Sequence, residues 1–400
     1  MKSYRTNLTA LLIAQTLAIM GFSLMLPIIP LFLEEDIGIT DPVRLKVWVG
    51  FIHSSATIAL AVFAPIWGRL ADVFSRRVML IRAMFCGSIV IFFMTFVTSP
   101  WQLLVLRGLQ GSLAGTIAAA TVLTASISPA AKVALAMGLL QTSIATGSSI
   151  GPLIGGIISD FLGYRAAFLS TSLLLALAGF VVLMWVEDDF RPSPENKAKK
   201  LSLLPDIQPI AGSPLLICII LLTLGVHTAN TVATPMLPLF LRSLLLRVTE
   251  EPAFIASSTG IVLGTGAAFA AVAAVLAGKF SYRIGYWKTL IFCLSAAAVL
   301  TIPQAFVSNM LQLTILRAMT SFFIGGTLPV INAIIASSSE KKNQGTIYGF
   351  NSSMAYAGMA LGPMIGSAAA MLSFHVMFFA SALVLALSAL GAFWRRGKHQ

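Results

Sequence analysis

The feature that most constrains this sequence is a series of apolar stretches, each near the roughly 20 residues that a helix needs to cross a membrane. Charged residues make up only 10% of the 400 positions, whereas the polar surface of a soluble protein needs about 25%. We therefore predict an all-α integral membrane protein with twelve transmembrane helices. The predicted spans are 8–33, 47–70, 78–98, 101–126, 133–159, 165–186, 213–241, 253–278, 288–307, 311–336, 343–371 and 374–394.

The second half of the sequence repeats the first. A pattern of glycines spaced G-x8-G-x3-G-P-x2-G occurs in the fifth span and again 211 residues later in the eleventh. Six spans followed by six similar spans predict two six-helix bundles related by a pseudo-two-fold axis along the membrane normal. We place the bundles at 1–186 and 213–400, with a cytoplasmic linker at 187–212. The pattern comprises Gly138, Gly147, Gly151, Pro152 and Gly155, followed by Gly156, and then Gly349, Gly358, Gly362, Pro363 and Gly366.

The basic residues predict the orientation of the chain. The net charge is +12, and 19 of the 26 lysines and arginines fall in or beside the loops that share a side with the amino terminus. Because cytoplasmic loops carry the excess of Lys and Arg, we expect both termini in the cytoplasm. Contact with anionic lipid explains the charge, so no nucleic-acid partner is expected. The exceptions lie on the opposite side of the membrane or within a span. On the opposite side are Arg44, Lys46, Arg165, Arg242 and Arg247, and within spans are Arg107 and Arg317.

Four motifs resemble those of the major facilitator superfamily. They are the glycine pattern of the fifth span, the paired prolines Pro27 and Pro30, LRGLQGSLAG in the fourth span and GRLADVFSRR after the second. The pattern of the fifth span is similar to that of the drug:proton antiporters, and the resemblance is closest to the twelve-span multidrug efflux subfamily. It implies that the glycines of spans 5 and 11 form the interface on which the two bundles rock.

The resemblance also implies a cytoplasmic latch at the end of the second span. Its residues would be Gly68, Asp72, Arg76 and Arg77, with Asp72 as the acid. Such an acid can pair with arginine and cap the positive end of a helix. The second-half copy has Tyr282 where the acid would stand, so an acid-based latch is one-sided. The competing interpretation is an ordinary loop salt bridge.

Arg107 lies within the fourth span, where a charge costs at least ~2.5 kcal/mol. The resemblance suggests a role in proton coupling, with Gln110 one turn away. The alternative is a structural arginine satisfied by backbone carbonyls. No acid lies in the middle of a span, so the titratable groups that remain within the spans are the histidines His227 and His53. We assign proton coupling and the polar cavity to Arg107, Gln110 and His227, with His227 as the candidate proton carrier, while His53 is interpreted as a packing residue.

Further polar and aromatic residues on the expected cavity spans would suit an amphipathic organic substrate. The absence of an acid within the spans makes a neutral or anionic substrate more consistent than a permanently cationic one. The weaker candidates for this cavity are Phe22, Met25, Gln141, Asn230, Arg317, Asn332, Asn351 and Tyr356.

The function predicted is proton-coupled efflux of small lipophilic compounds by alternating access in the inner membrane. Expected partners are a small-molecule substrate, protons and the lipid bilayer, and we expect a monomer. The sequence has no metal-ligand spacing, no cofactor motif and no nucleophile–base pair, so a metal, a cofactor and an enzyme activity are not expected. Two alternatives remain: a proton-coupled symporter importing a neutral or anionic nutrient, and a membrane sensor that does not transport.

Overall fold

The structure is a computed structural model. It describes residues 4–73, 75–188, 210, 212–246, 254–339 and 344–396. Most of the predicted linker 187–212 lies outside the described residues. The assignment of bundles to 1–186 and 213–400 therefore stays a prediction at its boundaries.

The first half of the described chain is built from eight α-helices. Apolar residues line each of them, and a short 3-10 turn at Ala130–Lys132 precedes the seventh. The helices are α1 (Tyr4–Leu24), α2 (Ile29–Glu35), α3 (Pro42–Val73), α4 (Arg76–Met94), α5 (Pro100–Leu113), α6 (Thr116–Ile127), α7 (Val133–Leu162) and α8 (Tyr164–Trp185).

The second half of the described chain contributes seven α-helices. Two 3-10 segments, Thr234–Met236 and Ile302–Phe306, extend the first and fourth of them. The helices are α9 (Pro214–Val232), α10 (Leu237–Leu245), α11 (Ile255–Ile284), α12 (Tyr286–Thr301), α13 (Met310–Ser338), α14 (Gln344–Leu372) and α15 (Phe374–Arg396).

These helices account for the predicted spans. By length and composition, eleven helical segments of the described chain could cross a membrane. The predicted fifth span corresponds to α7, which is not among the eleven but has 30 residues, enough for about 45 Å of helix. The all-α prediction is confirmed.

One pair of helix breaks follows the repeat, and a third break does not. The first span divides into α1 and α2 near Pro27, and the seventh divides into α9 and α10 near Pro235, because proline removes a backbone donor. The fourth span also divides, into α5 and α6, at Gly115, whose φ of +129° favours glycine. Its counterpart α13 continues through Pro329 without a break. The interruption of the fourth span is therefore specific to the first half.

The ends of the first, sixth and twelfth spans define two faces of the bundle. We call the side where α1 begins and where α8 and α15 end the terminal face, and the opposite side the distal face. Within the halves, α1 packs along α7 and α9 packs along α14. Between the halves, α7 packs along α11 and α3 packs along α14. These two helix pairs are the seams at which the halves meet.

Candidate functional site

The repeated glycines lie against neighbours within their own half. A Cβ atom at Gly147 would lie 2.8 Å from the carbonyl oxygen of Thr16 in α1, and one at Gly358 would lie 2.5 Å from that of Leu224 in α9. Four further glycines of the motif make the same kind of contact. In α7, Gly151 and Gly155 lie against α1, and in α14, Gly362 and Gly366 lie against α9.

The interpretation of this motif as the rocking interface is therefore wrong for most of its members. Because glycine has no side chain, the pattern allows a close approach of backbones, but it does not state which helix approaches. Of the α7 glycines in the motif, Gly156 is the one that faces the other half, where its Cβ would lie 2.6 Å from the Cα of Ser257. Pro152 also faces the seam, through its backbone.

The seam between α7 and α11 depends on glycines that are supplied mainly by α11. A Cβ at Gly260 would lie 2.9 Å from the Cα of Leu153, and Gly264 lies against the carbonyl oxygen of Ser149. At the other seam, a Cβ at Gly50 of α3 would lie 2.7 Å from the Cβ of Ser367 in α14. Both seams are therefore in direct backbone contact over the part nearer the distal face.

The glycines of the same helices nearer the terminal face have no neighbour. Gly138 of α7, Gly278 of α11 and Gly349 of α14 lie nearer that face, and a Cβ at each would meet no heavy atom within 4 Å. The contacts between the halves described above therefore lie on the distal side, and these three glycines face open space toward the terminal side.

Polar contacts between the halves reinforce the closed distal side. The Oγ of Ser54 in α3 donates to the carbonyl oxygen of Ala360 in α14 at 2.7 Å, and the Nζ of Lys46 donates to that of Ala370 at 2.8 Å. The Oγ of Ser367 donates back to the carbonyl oxygen of Lys46. The seam between α3 and α14 is therefore held by hydrogen bonds to backbone carbonyls.

An ion-pair cluster closes the distal face beside this seam. The guanidinium of Arg242 in α10 lies 2.5 Å from the Oε2 of Glu34 and 3.8 Å from the Oε1 of Glu35, both on α2. Tyr164 donates its hydroxyl to Glu35 at 2.8 Å. Arg242 comes from the second half and the other three from the first, so the cluster joins the halves.

Asp160 connects the halves at the second seam. Its Oδ2 accepts from the backbone N–H of Ser257 at 2.7 Å, and its Oδ1 from that of Ala256 at 3.3 Å. These N–H groups are at the start of α11, where a carboxylate is favoured by the positive end of the helix dipole. Asp160 of α7 therefore caps a helix of the opposite half.

At the terminal face the structure shows an acid that the latch prediction did not include. Asp188 accepts from the Oγ of Ser75 at 2.9 Å and from the backbone N–H of Arg77 at 3.4 Å, at the start of α4. The guanidinium of Arg77 donates to the carbonyl oxygen of Leu183 at 2.5 Å. Asp188 belongs to the run EDD that follows the sixth span, and this run of acids was the feature of the sequence that could have indicated its role.

The other predicted latch residues are only partly described. Asp72 lies in the last turn of α3 and not in a loop, but its side chain and the surroundings of Gly68 lie outside what the structure describes. Arg76 begins α4. Close by, the guanidinium of Arg82 lies over the ring of Trp67 at 3.4 Å, and the Nε1 of Trp67 donates to the carbonyl oxygen of Ser112 at 2.5 Å. This chain of contacts links the motif region to the break in the fourth span.

Arg107 and Gln110, one turn apart in α5, form a buried polar pair. The guanidinium of Arg107 donates to the Oε1 of Gln110 at 2.9 Å, and both side chains are buried. Arg317 is also buried, but it donates to the Oγ1 of Thr234 at 2.9 Å and to the carbonyl oxygen of Asn230 at 3.4 Å. The two arginines occupy equivalent places in the repeat but have different partners.

The two histidines of the spans are in different surroundings. His227 of α9 is half-buried, and within the described chain its ring makes no hydrogen bond. His53 of α3 is buried; its Nδ1 lies 3.0 Å from the carbonyl oxygen of Val49, and its Nε2 has no partner among the described residues. The sequence favoured His227, because the environment of His53 depends on how the neighbouring helices pack.

The remaining candidates are dispersed. Met25 is fully buried in the hydrophobic core, and Asn351 is buried with its Oδ1 accepting from the Oγ1 of Thr223 at 2.7 Å, so neither side chain is open to a cavity in this state. Gln141 and Asn332 are exposed. Intermediate burial, the state expected of cavity-lining side chains, is found for Phe22, Asn230 and Tyr356.

The sequence matches the model of the Major Facilitator Superfamily over residues 11–310 and 219–400. The chain belongs to the major facilitator superfamily. Among its relatives, the multidrug resistance protein MdtG of Proteus mirabilis is 33% identical over 96% of this chain and 94% of its own length. The MdtG of Rahnella sp. is 31% identical over 100% of this chain and 96% of its own.

Solved structures agree with this membership. A bacterial homologue of the human lysosomal transporter Spinster, in an inward-facing and occupied conformation, aligns with a TM-score of 0.80 at 15% identity and covers 98% of this chain and 97% of the other. A point mutant of the nucleoside transporter NupG aligns with a TM-score of 0.78 at 13% identity, covering 96% of this chain and 98% of the other. The predicted family and fold are confirmed, and this member of the major facilitator superfamily is a multi-pass membrane transporter and not an enzyme.

Proposed function

We propose that this protein exports small lipophilic compounds from the cytoplasm in exchange for protons. The observation that carries the proposal is the full-length similarity to MdtG proteins, which are named for multidrug resistance. The repeated glycine pattern of α7 and α14, which is similar to that of drug:proton antiporters, supports the same function.

The alternating-access geometry is consistent with export. With both termini in the cytoplasm, as the basic residues indicate, the terminal face is cytoplasmic and the described state is open to the inside. A lipophilic compound would enter between the separated ends of α7, α11 and α14. The protein acts in the inner membrane as a monomer, with protons moving inward as the compound moves outward.

The chemistry of the interior favours an exporter over an importer of anions. An importer would direct Arg107 and Arg317 at its ligand, but both guanidinium groups are buried and bonded within their own halves. Half-buried Phe22, Asn230 and Tyr356 offer aromatic and amide groups instead, which suit neutral amphipathic molecules. We assign Arg107 and Gln110 to the support of proton coupling, and His227 to the cavity wall.

The test is flux of a substrate panel in proteoliposomes with and without an imposed pH gradient. We expect the gradient to drive accumulation of lipophilic compounds by the wild type and Arg107→Ala to reduce it at least tenfold. If no compound responds to the gradient, the antiporter proposal is wrong. Equilibration of a compound across the membrane that the pH gradient leaves unchanged would identify a facilitator, and growth of cells on an imported nutrient would identify the symporter.

A further inference from the structure

We propose that His53 binds the transported proton, taking it up when the distal face opens and releasing it in the state described here. The proposal rests on proton-coupled transport being the function, and it adds the site at which the proton is carried. It replaces the packing role to which the sequence alone assigned this histidine.

The first observation is the shortage of groups that can titrate inside the membrane. Every acid of the chain lies at a span end or in a loop, so no carboxylate lies in the middle of a span. The chain has four histidines, of which His375 begins α15 at the distal face and His399 lies outside the described residues. An imidazole is the side chain whose ordinary pKa lies between pH 5 and 8, so His53 and His227 are the two candidates.

The second observation is an orphaned ring nitrogen. The Nδ1 of His53 lies 3.0 Å from the carbonyl oxygen of Val49, one turn earlier in α3. A carbonyl only accepts, so Nδ1 carries the hydrogen and Nε2 presents a lone pair. Nε2 is buried and has no partner among the described residues. A buried hydrogen-bond acceptor without a donor costs free energy, and the lone pair of Nε2 can bind a proton instead.

The third observation is the charge environment, which opposes a proton in this state. Arg107 is a buried cation of α5, the helix that packs along α3 in the first half. The other charges on the described parts of the helices packed against α3 lie toward the two faces. Arg82 of α4 stacks on Trp67 near the terminal face, and Glu34 and Glu35 of α2 are at the distal face in the Arg242 cluster. A proton on His53 would face a guanidinium without an adjacent carboxylate, so the closed distal state favours its release.

The fourth observation is the position of His53 beside the moving seam. Lys46, Gly50 and Ser54 repeat at helical spacing and form the stripe of α3 that contacts α14. His53 lies about 60° around the helix from Gly50, the centre of this stripe, and on the side that leads toward α5. It is about 16 Å below the distal end of α3, from the 1.5 Å rise per residue.

Opening of the distal face therefore acts on His53 directly. Separation of α3 from α14 breaks the Ser54 contact and admits water along the stripe, where His53 is the neighbouring ring. Hydration weakens the repulsion by Arg107 because the effective dielectric constant rises. The proton affinity is thus higher in the state open to the distal side and lower in the described state, which is the difference that coupling requires.

The experiment compares two transport modes in proteoliposomes that hold wild type or His53→Gln. Glutamine can donate to the Val49 carbonyl but cannot be protonated. We expect His53→Gln to retain substrate exchange at equal pH on both sides, which needs no net proton movement, while accumulation driven by a pH gradient falls at least tenfold. His375→Gln, which changes a histidine at the distal face, is the matched control, and we expect it to retain the gradient response.

The outcomes separate this proposal from the function itself. If wild type responds to the gradient and His53→Gln responds equally, the proton site is elsewhere although the antiporter function stands. If His227→Gln instead loses the gradient response, His227 is the carrier and the proposal is overturned. If wild type shows no response, the proposed function fails first.

A second measurement covers the case in which His53→Gln does not fold. Arg107→Gln removes the guanidinium that a protonated His53 would face. We expect the pH profile of exchange by Arg107→Gln to move toward higher pH relative to wild type. An unchanged profile, or a move toward lower pH, would contradict the role of His53.

Discussion

The seam between α7 and α11 makes a quantitative prediction through Gly260. A Cβ atom at this position would lie 2.9 Å from the Cα of Leu153, whereas ordinary contacts between such atoms lie at 3.4–4 Å. Because backbone stands on the other side of the seam, the clash is not relieved by a rotamer change. Gly260→Ala therefore requires α7 and α11 to separate by several tenths of an ångström or more on the distal side.

The cost of this separation sets the size of the effect. Overpacking by added methyl or methylene groups typically costs about 1–3 kcal/mol. This cost arises only where the helices touch, so it acts on the distal-closed state and not on the distal-open one. A bias of about 1–3 kcal/mol changes a two-state population by roughly 5–150-fold, so a measurable distal-open population should appear.

The assay is the distance between spin labels at Leu162→Cys and Leu372→Cys, which are exposed at the distal ends of α7 and α14. The background carries Cys86, Cys218 and Cys293 replaced by serine or alanine. We expect Gly260→Ala to add a longer distance that the parent lacks.

Gly278→Ala is the matched control for this experiment. It makes the same substitution in the same helix α11, so it has the same effect on helix propensity, but its Cβ would meet nothing within 4 Å. The reasoning is refuted if Gly260→Ala and Gly278→Ala give the same distance distribution as the parent.

Two further predictions concern the distal closure. Asp160→Asn keeps a hydrogen-bond acceptor at the start of α11 but removes the negative charge that the helix dipole favours there. We expect it to move the equilibrium toward the distal-open state by about 0.3–1 kcal/mol, measured with the same label pair. The remaining contact is neutral, so it should depend little on salt. Arg242→Ala leaves the buried Oε2 of Glu34 without its ion-pair partner. Because the side chains of this pair are about one-third exposed, we expect the distal-closed state to lose no more than about 1 kcal/mol of stability. The loss should be smaller at high salt, which screens the pair. Label distances at low and high salt check both, and a closed population unchanged by Arg242→Ala at low salt would show that the ion pairs do not hold the face shut.

The sequence was sufficient for features that depend on local composition. Span number follows from the length of apolar stretches, and the repeated architecture follows from the glycine pattern of α7 and α14. The pairing of Arg107 with Gln110 was also accessible, because residues three apart on a helix are neighbours. These inferences need only the period and length of a helix.

The tertiary structure decided every contact between helices. Glycine spacing shows that a smooth surface exists, but packing assigned Gly147 and Gly358 to α1 and α9 within each half, and Gly260 to the seam. Asp188 could not be paired with Ser75 from sequence, since they are 113 residues apart. His53 acquires its orphaned nitrogen from its place between α5 and α14. The physical reason is that helix periodicity fixes which residues share a face, whereas long-range packing alone fixes what that face meets.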